Sequence, residues 1–124
     1  MLTSQVLYYV AAASTFIAGI LHLAIIPMFF SIMPMDVTIF FLVSGLAQVF
    51  WVIPVVKKWN DLWFYVGIVG TVILIIMWLV AVPGSGHQVD TNQISIEVLQ
   101  IIFIICCILI IKDRAALKVN NYSV

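Results

Sequence analysis

The chain has 124 residues, of which 65% are hydrophobic and only 8% charged, and its mean hydropathy is +1.27. So few charged side chains cannot clothe a water-soluble domain of this size, which makes lipid the expected solvent. Five basic and five acidic residues cancel to a formal net charge of zero, excluding the basic surface that nucleic acid requires.

The residues from Met1 to Gln5 hold no Lys or Arg, and the apolar run after them exceeds the roughly 7–15 residues of a signal-peptide core. That run is read as the first of four membrane-spanning helices, over 7–30, 37–56, 62–82 and 94–111. Each lies close to the roughly 17–25 residues that a helix needs to cross a bilayer. No linker or repeat interrupts them, so the expectation is a single all-α domain over 1–124, a four-helix up-down arrangement joined by short loops.

On span one, Ala11, Thr15, Ala18, Gly19 and His22 share a stripe at about 100° per residue, small and polar on an otherwise bulky helix, and this stripe is expected to face protein. Pro27 cannot donate to the carbonyl of Leu23, which predicts a kink and a free acceptor close to His22. On span two, Ser44, Gly45 and Gln48 share a face, and Pro54 predicts a second kink. On span three, Gly67, Gly70 and Thr71 form a small-residue patch suited to close helix packing.

Between spans three and four, Gly84–Ser85–Gly86 reads as a turn, since it lacks the helix and lysine of a nucleotide loop. His87 and Asp90, three apart in that loop, read as a solvated pair. Span four brings Glu97 and Gln100 onto one face; Glu97 is the one charge within the four runs. Cys106 and Cys107 are adjacent in an apolar run, unlike a disulfide framework or a zinc site, and read as small apolar residues.

Lys57 and Lys58 lie between spans two and three, and Lys112, Arg114 and Lys118 follow span four, while the other two loops have no cation. The positive-inside rule then places both termini on the cytoplasmic side of a prokaryotic cell membrane, with Tyr8, Tyr9, Trp59 and Trp63 at the inner interface.

At about 1.5 Å per residue, His22 lies roughly 12 Å below the outer end of span one, Ser44 about 10 Å below that of span two, and Gln48 near the midplane. Glu97 and Gln100 lie within about 10 Å of the outer end of span four, so the polar residues concentrate in the outer half. One reading makes them inter-helix hydrogen bonds, with His22 neutral and bonded to Gln48 or to a carbonyl. The other makes His22, Gln48 and Glu97 a site for a divalent metal ion, a proton or a polar ligand. A single intramembrane histidine and the lack of a Cys-x-x-Cys-His motif disfavour haem, and Ser44 has no base to make it a nucleophile.

Through Gly19-x-x-His22, Phe40-Phe41-x-x-x-Gly45-x-x-Gln48, Pro83-Gly84 and Glu97, the chain resembles a group of small four-helix membrane proteins of bacteria and archaea. The resemblance implies the fold and draws attention to His22, Gln48 and Glu97, but it implies no activity. In size and span count the chain is also similar to the small helical accessory subunits of archaeal membrane oxidases, in particular the ammonia monooxygenase complex. That similarity implies a non-catalytic subunit among other membrane subunits, with catalytic copper held elsewhere.

Three functions are therefore expected in order: an accessory subunit packed against lipid and against other membrane subunits or a second copy; a metal-binding membrane protein; and a small proton-coupled transporter acting as a dimer. The small multidrug-resistance family illustrates the last, although its carboxylate lies in the first helix, where this chain has His22.

Overall fold

The computed structural model describes residues 2–86, 89 and 91–123. Helix α1 runs over Leu2–Ile32, α2 over Met35–Phe50, the short α3 over Val52–Val56, α4 over Asp61–Ala81 and α5 over Thr91–Ser123, with a 3-10 turn at Pro83–Ser85. Many of these residues are Ile and Val, which are modest helix formers in water. In a bilayer the backbone has no water to bond, so a helix that satisfies its own N–H and C=O groups is the accessible form.

Four stretches are long and apolar enough to cross a membrane: Gln5–Ile32, Met35–Val56, Asp61–Ala81 and Thr91–Val119. The last is longer than the 94–111 read from the sequence. Ala115, Ala116, Leu117 and Lys118 are strong helix formers, so α5 continues past the first cations instead of ending at Ile111.

The two prolines act differently. α1 runs without interruption through Pro27, whereas α2 ends at Phe50 and α3 begins at Val52, two residues before Pro54. Pro54 has no N–H for the carbonyl of Phe50, and the regular bonding is interrupted there, while Trp51 keeps helical backbone angles and Trp51 N–H and Val55 N–H still donate to Ala47 O and Trp51 O. α3 then closes with Lys58 N–H donating to Val55 O at 3.2 Å and Trp59 N–H to Pro54 O at 3.0 Å. This is the bond pair of a Schellman ending, with Lys58 at φ 56° where glycine is usual.

α1 packs most extensively against α2 and α5 and also touches α3, while α4 has α5 as its one extensive helix neighbour among the described residues. The interior falls into two apolar clusters. One gathers Tyr8, Ala11, Val55, Phe64, Cys106 and Cys107; the other gathers Ala18, Ile25, Phe29, Phe41, Val82 and Ile96. Thr15 on α1, Ser44 and Gln48 on α2, and Gln100 on α5 fall in sequence between the two and are all buried.

α1 and α2 approach closely at Gly19 and Gly45. A Cβ on Gly19 would stand 2.9 Å from the Gly45 carbonyl oxygen and 2.8 Å from Val49 Cγ2; one on Gly45 would stand 3.0 Å from His22 Cβ. Only glycine leaves room for the backbones to meet here, and that approach carries His22 to Gln48. At the connection beyond, the buried Thr38 hydroxyl lies 3.2 Å from Phe29 O and 3.1 Å from Pro34 O, so it ties the start of α2 to the end of α1.

Candidate functional site

The site grows from three helices. α1 supplies Thr15 and His22, α2 supplies Ser44 and Gln48, and α5 supplies Gln93, Glu97 and Gln100, whose spacing of four and three residues sets them along one helix face.

His22 Nδ1 lies 2.8 Å from Gln48 Oε1. An amide oxygen only accepts, so Nδ1 carries the proton and Nε2 is left as an acceptor. The ring, 2% exposed, stacks on Phe41 with centroids 5.6 Å apart and planes inclined by 22°. The Thr15 hydroxyl donates to the backbone carbonyl of Gln48 at 2.9 Å, so α1 grips this one residue of α2 twice.

On its other side His22 borders a void too tight for a water molecule, lined also by Phe29, Trp78, Gln93 and Glu97. Trp78 Nε1 donates to Gln93 Oε1 at 3.3 Å. Among the described residues, Glu97 Oε2 is buried without a hydrogen-bond partner, and so are both amide atoms of Gln100, a residue only 1% exposed. A buried polar group left unbonded costs about 1–3 kcal/mol, so this stretch of α5 carries unspent bonding capacity.

The three residues read as a metal set are therefore not gathered round one space. Gln48 meets His22 but does not line the void that His22 shares with Glu97. Its carbonyl oxygen is held by the imidazole, while its side chain borders a different cavity. Among the described residues, no three of His, Cys, Asp and Glu converge. His87 and Asp90 lie outside the described residues.

The second cavity is a cleft of about 290 Å³ between α2 and α4, open on one side. Thr15, Ser44, Gln48, Gly67 and Thr71 supply its small and polar lining. Gly70 also belongs here. Read from the sequence as a packing residue, it has nothing within 4 Å of where a Cβ would point, because α2 and α4 stand apart. Gly67, one turn earlier, does pack: a Cβ there would stand 2.7 Å from the indole nitrogen of Trp51. That indole donates to Trp63 O at 3.1 Å and bridges α4 to the break between α2 and α3.

At the other end of the helices, Arg114 Nε donates to the Tyr8 hydroxyl, and Nη1 donates to Trp59 O and to Asp61 Oδ1, each at 2.8 Å. Lys118 adds a second, longer contact to Asp61 at 3.5 Å. The cation also lies 4.6 Å from the centroid of the Phe64 ring.

No family model, curated protein or solved structure matches the chain.

Sequence reasoning passed over Gln93, whose signal was its position four residues before Glu97. It also treated Arg114 as an orientation charge. No local pattern marks its partners, which stand 106, 55 and 53 positions away.

Proposed function

We propose that this chain is a non-catalytic accessory subunit of a multi-subunit membrane complex, of the oxidase or monooxygenase kind to which its resemblance points. The observation that carries the reading is where the polar side chains are used. Thr15 and His22 fasten α1 to α2 through Gln48, Trp51 reaches α4, and Arg114 joins α1 to the start of α4. Groups spent in this way hold a scaffold together.

The isolation of α4 supports the same reading, since only 22% of its span is buried inside the chain and the rest meets lipid or another protein. Four antiparallel spans in up-down order, with both termini cytoplasmic, complete it. Lys57, Lys58, Lys112, Arg114 and Lys118 flank two connected regions that the positive-inside rule assigns to the cytoplasm.

Extraction of native membranes in mild detergent tests the proposal. The chain is expected in a large particle with several stable partners, and recovery only as a monomer or homodimer overturns it.

A second reading, a metal-binding protein or a proton-coupled carrier, draws support from the unbonded Glu97 Oε2 and Gln100 amide. Stoichiometric divalent metal in the native particle, lost in His22→Ala, would raise it above the first. For the carrier, transport in vesicles should vanish in Glu97→Gln; an unchanged rate removes it.

A further inference from the structure

We propose that the cleft between α2 and α4 is a binding site for a neutral lipid bearing a hydroxyl group. The proposal stands apart from the accessory reading and does not depend on it.

The cleft holds about 290 Å³ and is open on one side. The volume sits at the lower edge of small-molecule pockets, about 300 Å³, and suits one slender apolar body lying against Phe40, Leu74 and Phe103.

The polar floor selects the head group. Ser44 donates its hydroxyl proton to Phe40 O at 2.7 Å, Thr71 to Gly67 O at 2.7 Å and Thr15 to Gln48 O at 2.9 Å. With their protons spent on carbonyls, these three oxygens can only accept from a ligand. Gln48 offers the opposite. It is 6% exposed and lines the cleft, its Oε1 is taken by His22, and its amide nitrogen has no partner among the described residues. A donor and acceptors lining one cleft match a hydroxyl, which accepts from the Gln48 amide and donates to one of those oxygens. A hydrocarbon would leave both unbonded.

Depth excludes a charged head. Within the Met35–Val56 span, Gln48 lies about 20 Å from one end and about 12 Å from the other at 1.5 Å per residue. A phosphate or ammonium carried that deep would be costly, while an uncharged alcohol or phenol dissolved in the bilayer reaches it at little cost.

Photolabelling of the full chain in phosphatidylcholine vesicles tests the proposal with three probes: a diazirine-bearing long-chain alcohol, its methyl ether and the matching diazirine-bearing alkane. The alcohol is expected to label the segments 40–51 and 66–74 saturably, and unlabelled alcohol should compete. The ether should bind about fivefold more weakly, the weight of one lost hydrogen bond of about 1 kcal/mol.

Gly70→Leu places a side chain in open space and should abolish labelling with the thermal midpoint unchanged. Ala47→Phe, on the opposite wall, fills the same cleft and decides the matter if the first variant does not fold. Equal, unsaturable labelling by all three probes, or labelling that survives the filled cleft, overturns the proposal.

Discussion

Arg114 Nε donates to the hydroxyl of Tyr8 at 2.8 Å, joining two residues 106 positions apart in the chain. The same guanidinium holds Trp59 O and Asp61 Oδ1 through Nη1, so one side chain links α1, the approach to α4 and α4 itself. Lysine has a single point charge and cannot reproduce this planar fork. Arg114→Lys and Arg114→Met are both expected to lose about 1–3 kcal/mol in thermal unfolding in detergent. A cycle with Asp61→Asn should show strong non-additivity; additive losses would mean that the two residues do not act together.

The close approach of α1 and α2 gives a second test. Gly19→Ala would drive its methyl group to 2.8 Å from Val49 Cγ2 and 2.9 Å from a backbone oxygen that cannot move aside. A loss of about 1–3 kcal/mol is expected, as for an overpacked core. Gly70→Ala, facing open space, should be neutral or gain up to about 1 kcal/mol from helix propensity. Equal losses at the two positions would contradict the geometry.

For His22, the expectation is a coupling to Gln48 in a double-mutant cycle of His22→Phe and Gln48→Leu. Hydrogen bonds between membrane helices contribute about 0.6 kcal/mol on average and about 1.7 at most. A coupling near zero would mean that the 2.8 Å contact between ring and amide adds nothing to folding.

Lys58 tests the backbone alone. With φ at 56°, it occupies the left-handed region, which disfavours an L side chain by about 1–2 kcal/mol. Lys58→Gly should therefore raise stability, less the entropy of a more flexible unfolded chain. A drop in the thermal midpoint would imply that the Lys58 ammonium, 4.9 Å from the centroid of the Tyr8 ring, matters more than the strain.

The four spans were legible because charges are expensive in hydrocarbon and mark the ends of each run; Asp36, Lys57 and Asp61 all fall at such borders. The stripe of Ala11, Thr15, Ala18, Gly19 and His22 is buried, and helical periodicity alone brought those five together. Less legible was which helices would stand apart. Gly67 and Gly70 lie three residues apart on one patch, yet Trp51 fills the space beside the first and nothing reaches the second. The difference arises from where the Trp51 indole lies, bonded to Trp63 O beside Gly67, and such tertiary placement leaves no periodic trace. Nor could spacing reveal that Gln48 would turn its amide toward a different cavity from Glu97, since that depends on how far each helix is rotated about its axis.

Helix α1 finds its two largest partners in the helix that follows it and in α5, the last of the chain. During synthesis these arrive at very different times. Once α2 has emerged, Gln48 can cover His22 and Thr15, so the polar face of the first helix is sheltered early. The face that meets α5 has no such cover until that helix is made. α1 is therefore completed in two steps, first by its neighbour in sequence and later by a helix that follows only after α4 has been made.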